Sequence, residues 1–136
     1  MENPFVDRVT YVGHTGIELT EWAEDIARGR VVINETHHQP YGVVHGGVYC
    51  TLAETLASTG AVIWAISQGI AGAVGVSNTT DFLRPTTSGV LLGVATPIHR
   101  GRTQQLWEVW ITREDDGKPA SHSQVRLHNV NDLAAF

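Results

Sequence analysis

The segment Gly42-Val43-Val44-His45-Gly46-Gly47 runs directly into a long apolar stretch that carries a single acid, Glu54. If that stretch is a helix, Gly46 and Gly47 stand in its first turn. Backbone N–H groups there have no intrahelical acceptor, and the dipole end favours negative charge. Such donors suit polarising a carbonyl and holding an oxyanion. Ser58 follows Glu54 by four residues, so the two share one helix face. A carboxylate on a largely apolar helix has a raised pKa unless it is paired, and groups of that kind cluster at functional sites. The plainer readings are tight backbone packing for the two glycines and a local polar partner for Glu54.

A second candidate is basic. Residues 82–113 hold Arg84, Arg100, Arg102 and Arg113 against one acid, Glu108, a local +3. Arg is the planar partner of phosphate groups. In Arg100-Gly101-Arg102-Thr103 a glycine turn lets backbone and guanidinium approach an anion together. Solvated hairpin turns are the plainer reading for each of these arginines.

The elements that must position these groups are legible from pattern. Gly16–Trp22 and Ala27–Thr36 read as two strands with a turn at Glu24-Asp25. His37–His45 reads as a loop containing Pro40 and Gly42. A helix opens at Gly46 or Gly47, runs to about Gln68 and stops at Gly69. Val48, Leu52, Leu56, Val62, Ile63, Trp64 and Ile66, with small residues between them, make it apolar on nearly every face, so protein must wrap it. Four strands follow, over Ala73–Phe82, Gly89–His99, Gln104–Arg113 and Ala120–His128. Glu114-Asp115-Asp116-Gly117 is a clear hairpin turn. One antiparallel sheet around one long helix satisfies the order, an α+β architecture.

Composition bounds the rest. The chain has 136 residues and is 42% hydrophobic, enough for one core and too short for two ordinary domains. A single domain over 1–136 is expected, with 1–12 a loosely ordered N-terminal segment. One Cys excludes an intrachain disulfide framework. The net charge of −5 argues against nucleic-acid and membrane-surface binding. It lies wholly in residues 1–60, with eight acids and three bases, while residues 61–136 carry six of each. The N-terminus lacks a basic n-region and an apolar h-region, so a cytoplasmic location is the default. Glu54 interrupts the most apolar stretch and argues against a membrane span.

Other motifs are weaker. Cys50 lies near His45, but a free Cys in an apolar helix is usually a small buried hydrophobe. His37, His38 and His45 match no zinc-ligand spacing, so no metal site is expected. Trp107 and Trp110, three apart on a strand, face opposite sides, one into the core. Trp22 and Trp64 read as core.

The Gly-x-x-His-Gly-Gly run at Gly42–Gly47, with the helical acid in Leu52-Ala53-Glu54-Thr55-Leu56, resembles the hotdog-fold acyl-CoA thioesterases of the phenylacetic-acid-pathway type. Gln39-Pro40-Tyr41-Gly42 is similar to the corresponding loop of members acting on aromatic acyl-CoA, the 1,4-dihydroxy-2-naphthoyl-CoA and 4-hydroxybenzoyl-CoA thioesterases. Asn78-Thr79-Thr80-Asp81-Phe82-Leu83-Arg84-Pro85 resembles their mid-sheet strand. Pro97-Ile98-His99-Arg100-Gly101-Arg102 resembles the turn near the CoA tail. The similarity spans residues 12–130. It implies a hotdog fold and hydrolysis of an aromatic or medium-chain acyl-CoA, without metal or other cofactor. It implies Glu54 as nucleophile or general base, the Gly46 N–H on the thioester oxygen, and His45 and Gln39 beside the carbonyl. Ser58 would orient the water or the acid. Gly47, Asn78, Arg84, His99, Arg100, Gly101 and Arg102 would contact substrate.

Gly46 and Glu54 are eight residues apart, roughly 12 Å along one helix. A reacting carbonyl must lie about 3 Å from both the donor and the attacking group. If both act, they come from different chains. A homodimer with shared sites is therefore expected, and the family resemblance implies a dimer of dimers. The rivals are a hotdog hydratase or dehydratase acting on acyl-CoA or an acyl carrier protein, and a non-catalytic acyl-CoA-binding module.

Overall fold

A computed structural model describes residues 9–135. Residues 1–8, most of the segment expected to be loosely ordered, lie outside the described residues. Tyr11–Thr15 forms a short helix, α1, capped by the Thr10 hydroxyl.

Six strands follow the predicted order: β1 (Glu18–Trp22), β2 (Ala27–Val32), β3 (Gly72–Phe82), β4 (Val90–Arg100), β5 (Gln104–Arg113) and β6 (Pro119–Val130). They form one antiparallel sheet in the order β1-β2-β4-β5-β6-β3, so β1 and β3 are its edges. The 22-residue helix α2 (Gly46–Ser67) crosses its inner face. Leu52, Ala53, Leu56, Ala57 and Ala61 are fully buried against Val31, Leu91, Ala95, Trp107, Val109, Ile111, Val125 and Leu127. Strand alternation sends Trp107 into this core and leaves Trp110 on the outer face at 43% exposure. The fold is the α+β antiparallel sheet around one long helix expected from the pattern, and the hotdog arrangement that the resemblance implies. By length and composition α2 could cross a membrane, but here it is the core helix of the sheet.

Two differences from the sequence reading have local causes. β2 stops at Val32 rather than Thr36, because Asn34 competes for the backbone: its Oδ1 accepts from Thr36 N, and its own N–H donates to His37 Nδ1 at 3.0 Å. The result is a 3-10 turn over Glu35–His37, with His37 buried and bonded to the Thr15 carbonyl. Within one chain, helix α2 is also not wrapped all round. The sheet covers one side, while Glu54, Ser58 and Val62 remain half-buried and Ile66 is exposed.

A buried amide ties helix to sheet. Gln105, with no exposure, donates to the Ala61 carbonyl and to Asn129 Oδ1, and accepts from Trp107 Nε1. Asn129 in turn donates to the Gly101 and Arg102 carbonyls, which fixes the turn carrying Arg100, Gly101 and Arg102.

Candidate active site

Glu54 sits in the third turn of α2 and reaches toward the edge strand β3. Asn78 Nδ2 donates to Glu54 Oε2 at 3.2 Å and to the Cys50 carbonyl at 3.1 Å. The register of β3 on β6 slips between Gly75 and Ser77, a bulge beside this carboxylate. Gly75 leaves the carboxylate its place, because a Cβ there would overlap Glu54 Oε1 and push that flexible side chain aside. Burial pushes the Glu54 carboxyl above the usual glutamate range, and the Asn78 hydrogen bond opposes that shift. No cation pairs with it among the described residues. The carboxylate lines an open cavity of about 520 Å³ whose walls include Tyr11, Cys50, Thr55, Val76 and Asn78. Ser58 shares the Glu54 face, but the hydrogen bond to the carboxylate comes from Asn78.

The other candidate group lies at the start of α2. His45 is the N-cap, and its Nδ1 accepts from the Gly47 N–H at 2.7 Å. That bond puts the His45 ring proton on Nε2. The Gly47 N–H, expected to be open, is thus occupied, and among the described residues the Gly46 N–H has no acceptor. Gly46 opens onto a separate cavity of about 360 Å³, shared with Gln39, Tyr49, Phe82 and Arg84. A Cβ on Gly46 would stand 2.7 Å from Phe82 Cζ. Gln39 Oε1 accepts from the Tyr41 N–H, which folds the loop around Gly42, whose φ is +81°. Gly46 and Glu54 therefore face different cavities of one chain.

The expected basic cluster is mostly neutralised. Arg100 pairs with Asp25 at 3.0 Å, bonds the Glu24 carbonyl and lies over the Trp64 ring at 5.2 Å. Trp64 is accordingly a half-buried platform rather than core. Arg113 pairs with Asp116 and bonds the Pro85 carbonyl. Arg84 donates to the Pro119 carbonyl beside the Gly46 cavity. Arg102 is exposed and, among the described residues, its side chain has no hydrogen-bond or ionic partner. His99 and Arg100 line a third, shallow cavity with Trp64. Among the described residues no group of His, Cys, Asp and Glu is placed to hold a metal ion.

The resemblance implies Asn78 as a substrate contact, while neither its bond to Glu54 nor the role of Gly75 has a signal in the sequence. A glycine facing a helical acid from an edge strand leaves no spacing signal, because the contact is long-range.

The sequence profile of the thioesterase superfamily matches residues 41–120, from the loop before α2 to the start of β6. A Mycobacterium tuberculosis protein with a provisional esterase name is 45% identical over 123 residues, covering 90% of this chain and 87% of that protein. Its solved structure superposes with a TM-score of 0.86 at 43% identity, covering 90% of this chain and 97% of the other. The proofreading thioesterase EntH of Cronobacter turicensis is 34% identical over 105 residues, 77% of this chain and 75% of EntH. A Haemophilus influenzae thioesterase superposes with a TM-score of 0.84 at 34% identity, covering 92% of this chain and 85% of the other. With one sheet curled on one long helix beneath these matches, the chain belongs to the thioesterase superfamily and is a hotdog-fold thioester hydrolase.

Proposed function

We propose that the substrate is an acyl-CoA ester with an aromatic or medium-length acyl group, hydrolysed in a site shared by two copies of the chain. The observation that carries this reading is the Glu54 carboxylate: half-buried, without a cation, and opening into a cavity distinct from the one that receives the Gly46 N–H. In one chain the two groups lie roughly 12 Å apart along the helix, too far to share a carbonyl carbon. In a homodimer, or a dimer of dimers, Gly46 of one copy meets Glu54 of the other.

The thioester carbonyl oxygen accepts from the Gly46 N–H at the positive end of α2. Glu54 removes a proton from water as the water oxygen adds to the carbonyl carbon. The C=O electron pair moves to oxygen and stabilises on the helix terminus. Its return breaks the C–S bond, and the thiolate takes the proton held by Glu54. The products are the free acid and CoA thiol, and the balance requires no oxidant, metal or cofactor. In the alternative course a Glu54 oxygen attacks the carbonyl carbon and the C–S bond breaks to release CoA thiolate; water then cleaves the resulting anhydride to the free acid and Glu54, and its proton goes to the thiolate. Gln39 and His45 Nε2–H lie beside the carbonyl, and Ser58 orients the water. Arg102 and Arg84 meet the CoA phosphates with Gly101 and His99, while Arg100 is largely committed to Asp25.

Thiol release from a panel of aromatic and aliphatic acyl-CoA esters tests this. Aromatic or medium-chain esters should turn over, and Glu54→Gln should lose about 10²–10⁴-fold in kcat. Undiminished turnover in Glu54→Gln overturns the mechanism, and failure on every CoA ester overturns the substrate class.

A further inference from the structure

We propose that Asn78 is a positioning residue: aimed by Thr80 and Ser123, it holds the Glu54 carboxylate in one orientation against the β3 bulge. The inference rests on the catalytic reading of Glu54 and adds the device that keeps that side chain in place.

The argument is one of hydrogen-bond valence. The Cys50 carbonyl can only accept, so the Asn78 atom facing it at 3.1 Å is the amide nitrogen. That same nitrogen reaches Glu54 Oε2 at 3.2 Å. The opposite end, Oδ1, accepts from the Thr80 hydroxyl at 2.7 Å. Thr80 Oγ1 also meets Ser123 Oγ at 2.7 Å, and Ser123 is fully buried on β6. Residues 78 and 80 project from the same side of β3, and Thr80 pairs directly with Ser123 across the ladder. The Asn78 amide is thus fixed by a helix carbonyl on one side and by a strand hydroxyl anchored in the core on the other. A flipped amide would set oxygen against oxygen at Cys50 and lose the acceptor for Thr80.

The consequence for Glu54 is directional. One carboxylate oxygen is held by the amide, and the other lies against Gly75 where no side chain intrudes. A donor to the charged form favours the carboxylate and opposes the larger effect of burial, which raises its pKa. Among the described residues, the other titratable groups lining this cavity are Cys50 on α2 and Tyr11 on α1, β3 contributes none, and no Lys, Arg or His lines it. Asn78 is therefore the principal neighbour opposing desolvation.

The test uses the full-length oligomer and the variants Asn78→Ala, Asn78→Asp and Thr80→Val. Two quantities are read: the pH profile of kcat/KM, and the titration of the Glu54 side-chain carboxyl by carbon-13 NMR, assigned with Glu54→Gln. In Asn78→Ala the NMR midpoint and the acid limb should move together to higher pH. kcat should fall about tenfold or more while KM changes less than about twofold. Asn78→Asp, which replaces the donor with a second carboxylate, should move both further. Thr80→Val keeps the amide but frees it, and should shift both in the same direction by less. An unchanged Glu54 midpoint in Asn78→Ala and Asn78→Asp overturns the proposal. Full turnover by Glu54→Gln would overturn the catalytic role of Glu54 instead and leave the midpoint shift standing, so the two claims fail separately.

Discussion

The Glu54 carboxylate occupies the space that a side chain at residue 75 would fill: a Cβ on Gly75 would overlap Oε1 and stand 3.1 Å from Cδ. The edge strand has been emptied and bulged at the one place where the helical acid meets it. The relationship makes Gly75 a condition for the position of Glu54 rather than a hinge.

Gly75→Ala should therefore displace the carboxylate while the rest of the sheet stays paired. A misplacement of about 1 Å can cost about 10²-fold in rate, so kcat should fall by that order. Gly75 is exposed at a sheet edge, so the melting temperature should move little. Steady-state kinetics and thermal melting on the same preparation check both halves.

The desolvation of Glu54 has a stability consequence of opposite sign. Its carboxyl titrates above the ordinary value of 4.5 because burial disfavours the charged form. Folding therefore favours the protonated acid, and the wild type loses stability as pH rises from the unfolded value through the folded one. Glu54→Gln removes that penalty. It should melt higher than wild type at pH 8 and show no such advantage below pH 4, where both states are protonated. An advantage that grows toward acid would contradict this sign.

The arginines should separate into two behaviours. Arg102 has no protein partner among the described residues, so Arg102→Ala should weaken inhibition by free CoA several-fold and raise KM, with an unchanged melt. Arg100 is tied to Asp25, the Glu24 carbonyl and Trp64. Arg100→Ala should lower the melting temperature by an amount corresponding to about 1–2 kcal/mol and affect CoA inhibition less. Inhibition curves with free CoA and thermal melts of the two variants distinguish them.

Much of the architecture was legible in the sequence because its signals are local. β3, β4, β5 and β6 follow from alternation and turn chemistry, and the end of α2 from Gly69, which adopts φ +77°. The end of β2 was not legible, since the Asn34 side chain and His37 redirect the backbone against a β-branched run. At the candidate site, Gly46 and Glu54 stand out by type and spacing, and the structure sets each at a cavity. Asn78, Gly75 and the neutralisation of Arg100 were not, because each depends on a contact between segments distant in the chain. The charge window of residues 82–113 excluded Asp25 and Asp116, the two acids that quench it.

The central claim is that each site takes Gly46 from one copy and Glu54 from another. Gly46 is the first residue of α2, and His45 before it is extended at φ −62°, ψ 136°. Proline is tolerated at that helix position after an extended residue, so Gly46→Pro deletes the N–H and keeps the helix start. Phe82, whose ring a side chain at residue 46 would crowd, is 58% exposed. Gly46→Pro and Glu54→Gln should each be inactive alone. Unfolded together and refolded as a mixture, they should regain about a quarter of wild-type thioesterase activity, since half the dimers are mixed and one of the two sites in each is intact. A mixture as inactive as its components would contradict the shared site.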